Sequence, residues 1–395
     1  MQISSSEQAL SQPRVFKLSL LAVALIAVSH TYVDALTHIF PIALPIFKEK
    51  FSLSFAQVGL VATVFQLTSS VIQPVFGIMS DRWQTNWFIP LGVLWSGLTI
   101  SLVGYVSSYT GLLLLVFFAG FGTAAYHPRA LKALADSVRK KKGLANATFM
   151  FGGNVGFALG PLVAAFLFLN YGLTYSLLLF LPAFILLPGL WRYLPQYAAS
   201  HRRVISEGKE GKQGSFIFWG FTGVCMIVIV RSWVNSGFVV FLPLFLQSRG
   251  LELALAGKLL SLFLFSGAFG ALLGGYLSDI CGRKRIILIS LFVFSPMALL
   301  FLQNPTGPAA PVFLAVAGAA IYAPFTVALT LAQELIPSRT GLASGMTLGL
   351  GFGVGGIGAY ISGIFSDTYG LELNMLFLAL LPLAAIPLLW LIKQR

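Results

Sequence analysis

A chain of 395 residues that is 57% hydrophobic and only 9% charged, with a mean hydropathy of +0.88, is excluded from the soluble globular class, in which about a quarter of residues carry charge. The net charge of +13 suggests a polyanionic partner, but the placement of the cations assigns it to membrane topology and leaves no nucleic-acid partner. Arg14, Lys17, Arg82, Arg129, Lys132, the bases at 139–142, Arg192, Arg283 to Arg285, Arg339, Lys393 and Arg395 fall on one side of a twelve-span arrangement, whereas Lys48, Lys50, Arg249 and Lys258 fall on the other.

Apolar runs long enough to cross about 30 Å of hydrocarbon are predicted at roughly 16–43, 55–79, 87–107, 111–134, 144–169, 173–193, 216–247, 254–278, 286–303, 308–335, 341–366 and 372–392. They predict an all-α membrane protein with a six-helix bundle over 1–193, a polar linker over 194–214 and a second six-helix bundle over 215–395. The positive-inside bias puts both termini and the linker in the cytoplasm. The polar first eighteen or so residues and the long first span with its ionisable groups argue against a cleaved leader.

The first span carries His30, Asp34 and His38 at i, i+4 and i+8, which one helix face brings into line over two turns. Ionisable groups inside a membrane are costly and mark function, and a histidine beside a carboxylate titrates near neutral pH, as proton coupling requires. The same spacing also suits a divalent metal, or a polar cluster that only fixes packing. His30 and Asp34 are the predicted proton-coupling pair, with His38 in the substrate cavity.

Gln66 and Gln73 in the second span and Asn154 in the fifth are candidates for the substrate cavity, or alternatively for helix-to-helix hydrogen bonds. The second span closes on Gly77-Ile78-Met79-Ser80-Asp81-Arg82. His127, followed by Pro128 and Arg129 near the end of the fourth span, adds a cavity histidine where the proline can break the helix. Gly156, Gly160 and Pro161 make the fifth span a closely packed, bendable helix.

Past the mixed-charge linker, Arg231 is read as the one cation left inside a span, with Asn235 one turn later on the same face. Its place one residue short of the counterpart of Asp34 predicts pairing either with a carboxylate such as Asp34 or with an anionic group of the substrate. The eighth span closes on Gly274 to Arg285, including Gly275, Asp279, Gly282 and Arg283. Glu334 reads as a cytoplasmic-edge residue. Gly349, Gly351, Gly353, Gly355, Gly356 and Gly358 crowd the eleventh span, without the strand that a dinucleotide site requires. Cys225 and Cys281 have neither disulfide nor metal-ligand spacing.

The halves repeat each other at an offset of 198: Gly77 to Asp81 returns as Gly275 to Asp279, Gly143-Leu144-Ala145 as Gly341-Leu342-Ala343, and Tyr171-Gly172 as Tyr369-Gly370. In so apolar a chain, two parallel copies imply a secondary transporter with its substrate site between them near the membrane midplane. No nucleophile–base pair, phosphate loop or large extramembrane domain argues for an enzyme or receptor.

The Gly77 and Gly275 stretches resemble the loop motif of the major facilitator superfamily, and the resemblance implies that Asp81 and Asp279 act as conformational latches. Gly156 to Pro161 resembles the signature of that superfamily's proton-coupled exporters. Within the superfamily, His30-x-x-x-Asp34, Phe65 to Ser70, Gln73 to Gly77 and His127-Pro128 resemble the fosmidomycin-resistance family of bacterial exporters, with Arg129 where an acidic residue is expected. The resemblance implies a monomeric transporter of the bacterial cytoplasmic membrane. It would be driven by the proton gradient without a cofactor and would export a small, anionic or phosphonate-like compound. Uptake or facilitated diffusion, and metal-ion transport on the His30/Asp34/His38 face, stand as alternatives.

Overall fold

The computed structural model describes residues 20–83, 87–137, 142–194, 215–336 and 340–392. Among these residues, eleven helices are long and apolar enough to cross a membrane. The first six are Val23–Lys50, Phe55–Ser80, Phe88–Tyr105, Tyr109–Leu134, Thr148–Tyr171 and Leu173–Arg192. The seventh to tenth are Phe218–Ser248, Leu253–Cys281, Arg283–Gln303 and Ala310–Leu335, and the twelfth is Leu371–Leu391. The predicted eleventh crossing exists in three pieces, Thr340–Gly349, a π-helical turn over Leu350–Val354, and Gly355–Tyr369. The six glycines from Gly349 to Gly358 lack the side chains that would hold one regular helix, and the turn takes up an extra residue. Nearly all of the predicted linker, 195–214, lies outside the described residues.

Two of the breaks follow from proline. The first span bends at His38 and Ile39, where the backbone tightens to i→i+3 bonds (His38 N to Ala35 O, 3.1 Å) before Pro41 opens the helix Phe40–Lys50. The second span changes helix at Ile72, two residues ahead of Pro74. Its start is fixed by a reciprocal cap, Gln57 N–H to Ser54 Oγ and Ser54 N–H to the Gln57 side chain.

The core explains where a site can lie. At the end of the molecule away from the termini, one buried apolar cluster runs through both halves, from Phe40, Phe47 and Phe65 to Phe238, Phe241 and Phe263. At the end that carries the termini it divides in two. Ile26, Val93, Tyr126 and Leu190 form one branch within the first half, and Val224, Leu291, Leu331 and Leu389 form the other within the second. Close approaches between halves follow the same division. An added carbon on Gly59 would strike the backbone of Ala359 and Tyr360, and one on Gly257 would meet Ala165 at 2.9 Å, whereas Gly345 and Gly349 at the terminal end face open space. The halves therefore meet at the far end and part toward the termini, an arrangement with its cavity open to the terminal side.

Candidate functional site

Asp34 sits at the fork, buried, with a partner for each carboxylate oxygen. His30, one turn earlier on the same helix, places Nε2 at 3.2 Å from Oδ2, and His127 of the fourth span places Nε2 at 3.0 Å from Oδ1. The remaining ring nitrogens are committed elsewhere: His30 Nδ1 donates to Phe149 O at 2.7 Å and His127 Nδ1 donates to Thr123 O at 2.9 Å. A carbonyl can only accept, so both Nδ1 atoms carry hydrogen and each histidine turns only its Nε2 toward the carboxylate. The His30 ring is clamped by Phe149, with ring centroids 3.7 Å apart. His127 is the open face of the group, 23% exposed where Asp34 is 4%.

Hydrogen-bond chemistry distinguishes two proton counts for this cluster. Asp34 and the two Nε2 atoms offer three sites. With two protons among them both contacts are donor–acceptor bonds and the net charge is +1; with one proton, a lone pair of one Nε2 must face a carboxylate oxygen and that contact repels. The third side chain of the predicted face does not join. His38, at the helix break, bonds Thr37 Oγ1 through Nδ1 at 2.8 Å and leans on Phe157, 4.3 Å between ring centroids. The ligand-capable atoms of His30, Asp34 and His127 lie within 4.8 Å of one another, so the metal alternative holds only with His127 in the place of His38.

The fifth span supports the cluster from behind. Gly153 backs on Asp34 and His30, Gly156 on the Thr31 carbonyl, and Gly160 on Ala35 and His38, so the glycine face is the bed in which residues 31–38 lie. The carbonyl of Pro161 faces Gly257 of the eighth span in the opposite half. Asn154 is half-buried beside Gly153, and Gln73 is half-buried at the helix change of the second span. Gln66 accepts a hydrogen bond from Ser236 Oγ at 3.2 Å, linking the second and seventh spans between halves.

Arg231 is not paired with Asp34. Its Nε donates to Ile321 O at 2.8 Å, and its guanidinium carbon lies 4.7 Å from the Tyr322 ring centre and 4.9 Å from that of Phe325. Of the two readings of Arg231, pairing with Asp34 is not the one seen here: Asp34 is held by two histidines and Arg231 by Ile321 O. Among the described residues no carboxylate bridges Arg231, and its neighbours Ser232 Oγ and Asn235 Oδ1 are buried without hydrogen-bond partners. A guanidinium is a donor-only group, so burial without a carboxylate partner leaves Arg231 suited to an anionic group. Nor is it the one cation inside a span: Arg129, read from sequence as a boundary residue, is 1% exposed in the helix Tyr109–Ser137.

At the terminal end, Arg283 binds Asp279, Ser278 Oγ at 2.6 Å and Glu334 at 3.1 Å, tying the eighth, ninth and tenth spans. Glu334 is thus an edge residue, as expected from sequence. Gly282 turns the chain between the eighth and ninth spans at φ +94°, which a side chain would resist, while Gly275 has open space beside it. Gly77 meets only Pro128, and Arg82 is exposed near the end of the second span. The Asp81 side chain lies outside the described residues.

Residues 21–346 and 224–395 match the Major Facilitator Superfamily. The chain belongs to that superfamily. It is 30% identical to the fosmidomycin resistance protein of Escherichia coli K12 over 94% of this chain and 92% of that protein. It is 31% identical to an uncharacterized MFS-type transporter, YfnC, of Bacillus subtilis 168, over 92% and 90%. Among solved structures it is similar to a bacterial homolog of the human lysosomal transporter Spinster, with a TM-score of 0.82, 18% identity and 97% of each chain covered. The nucleoside transporter NupG follows with a TM-score of 0.72, 16% identity, and 96% of this chain and all of that one covered. This superfamily member is a multi-pass membrane transporter and not an enzyme, and its resemblance to the fosmidomycin-resistance exporters stands.

Proposed function

We propose that this transporter exchanges protons for a small organic anion across the bacterial cytoplasmic membrane, expelling the anion, with both termini in the cytoplasm. The observation that carries the reading is the pairing of one buried carboxylate with two histidines whose Nδ1 atoms are already spent on carbonyls. Loaded with two protons, the cluster ties His127 of the fourth span to Asp34 of the first. After loss of one proton, His127 is the partner that leaves, being the exposed one, and its Nε2 lone pair becomes available to a hydroxyl or amide donor on cargo whose anionic group Arg231 holds. Protons and cargo then compete for one side chain, which links the two fluxes. Export is supported by similarity to a protein named for fosmidomycin resistance.

A second reading rests on charge. The +1 of the doubly protonated cluster attracts an anion, which favours proton and anion moving together rather than in exchange. Proteoliposomes containing a pH dye, challenged with phosphonates and other organic anions, separate the two. Anion moving out of the lumen acidifies the lumen in exchange and alkalinises it in co-transport. No pH change with any anion, or an unchanged signal in Asp34→Asn, would sink proton coupling through this cluster.

A further inference from the structure

The signature Gly77-Ile78-Met79-Ser80-Asp81 has a third copy that the 198-residue repeat does not explain: Gly363-Ile364-Phe365-Ser366-Asp367. Its position in the first half is occupied by Ala165 to Leu169, so this copy is not a product of the duplication. It closes the eleventh span at the far end of the molecule. There, Asp367 Oδ1 accepts the backbone N–H of Phe55 at 2.7 Å and Oδ2 accepts that of Ala56 at 2.8 Å. These are first-turn donors of the second span, which have no partner within their own helix, and a carboxylate there also meets the positive end of the helix dipole. Behind the contact the two helices touch closely. Gly363 leaves room for Phe55 and Ala56, Gly59 for Ala359 and Tyr360, and Thr63 Oγ1 donates to Gly356 O at 2.5 Å.

We propose that Asp367 is the far-end latch of the transport cycle, holding the halves together while the cavity opens toward the termini. The same sequence, Gly77 to Asp81, stands at the other end of the same helix pair and would serve the opposite state of the cycle. The geometry has the required symmetry: Asp81 stands near the end of the helix Gln73–Trp83 of the second span, and the eleventh span begins at Thr340. Each helix of this pair therefore carries the G-I-x-S-D sequence toward its C-terminal end, and the N-terminal end of the second span is the one that Asp367 caps. Only one of the two contacts can close at a time, because the halves meet at one end and part at the other. The matching approach between the fifth and eighth spans, Ala165 and Pro161 against Gly257, is made by apolar side chains and backbone, with no carboxylate on a helix end as at Asp367. The latch governs which side is open and does not depend on what is carried or on the proton count of the Asp34 cluster.

The test is the spacing between spin labels on Ser107→Cys and Thr306→Cys, on far-end loops of opposite halves, in full-length protein lacking Cys225 and Cys281 and held in lipid nanodiscs without cargo. Asp367→Ala is expected to raise the ratio of far-end-open to far-end-closed molecules about tenfold, the effect of losing a charge-assisted pair of bonds. Asp367→Asn, which keeps the shape and guards against a folding defect, should raise it less, and Asp81→Ala should lower it. An unchanged distribution in Asp367→Ala, or a shift in the same direction for Asp81→Ala, would overturn the assignment.

Discussion

Replacing Gly153 with alanine presses a methyl group against the His30–Asp34–His127 cluster without removing any of its polar atoms. The added carbon would lie 2.5 Å from Asp34 Oδ2, 2.5 Å from His30 Cε1 and 2.9 Å from His30 Nε2. Ordinary carbon contacts need about 3.5 Å, so one of these groups must retreat by roughly 1 Å. The His30–Asp34 contact at 3.2 Å is already at the long end of the hydrogen-bond range, and such a retreat breaks it. Overpacking of this kind costs about 1–3 kcal/mol, so proton-driven transport should fall on the order of 10- to 100-fold. The assay is the initial rate of luminal pH change in proteoliposomes, driven by whichever phosphonate or other organic anion gives a signal with the wild type, with the helical melting curve as a folding control. Gly77→Ala, whose added carbon meets only Pro128 at 3.8 Å, serves as the neutral comparison. A Gly153→Ala protein that transports within about twofold of the wild type would refute the reasoning that this contact carries the proton.

Asp34→Asn should leave the fold intact and abolish the pH signal, because an amide cannot hold two imidazolium partners; gradient-driven transport at the wild-type rate would contradict it. Arg231→Ala should raise the concentration of anion needed for half-maximal transport by roughly 10- to 100-fold, the worth of a charge-assisted hydrogen bond, with Arg231→Lys falling between because it keeps the charge and loses the fork. Glu334→Gln should cost less than about 1 kcal/mol in a thermal melt, since Asp279 and Glu334 are 64% and 50% exposed and solvent screens the network. A melting loss much larger than that would show the Arg283 cluster to be a structural anchor.

The fold is legible in the sequence because span length, cation sidedness and the 198-residue offset are one-dimensional quantities. The eleventh span departs from that reading because hydropathy does not register six glycines as a weakness in the helix. At the site, His30 and Asp34 are legible as neighbours one turn apart on a helix. His127 enters the same cluster through the crossing of the first and fourth spans, 93 residues away, which no local pattern encodes. His38 leaves the face because the helix breaks on it, ahead of Pro41. The repeat placed Asp34 and Arg231 at matching depths, but depth does not decide partners, and of the two readings of Arg231 the pair with Asp34 is not the one seen. Arg129 was misplaced by a sidedness rule that sorts cations by position along the chain and cannot see burial. Asp367 did carry a signal, a second G-I-x-S-D, hidden because it falls outside the repeat register.

The claim that protons and cargo compete for His127 is tested most directly by counting protons released when cargo binds to purified protein in weakly buffered solution, with fosmidomycin as the probe. The account predicts acidification on binding in the wild type and none in His127→Gln. Proton uptake on binding, or equal release by the two proteins, would contradict it.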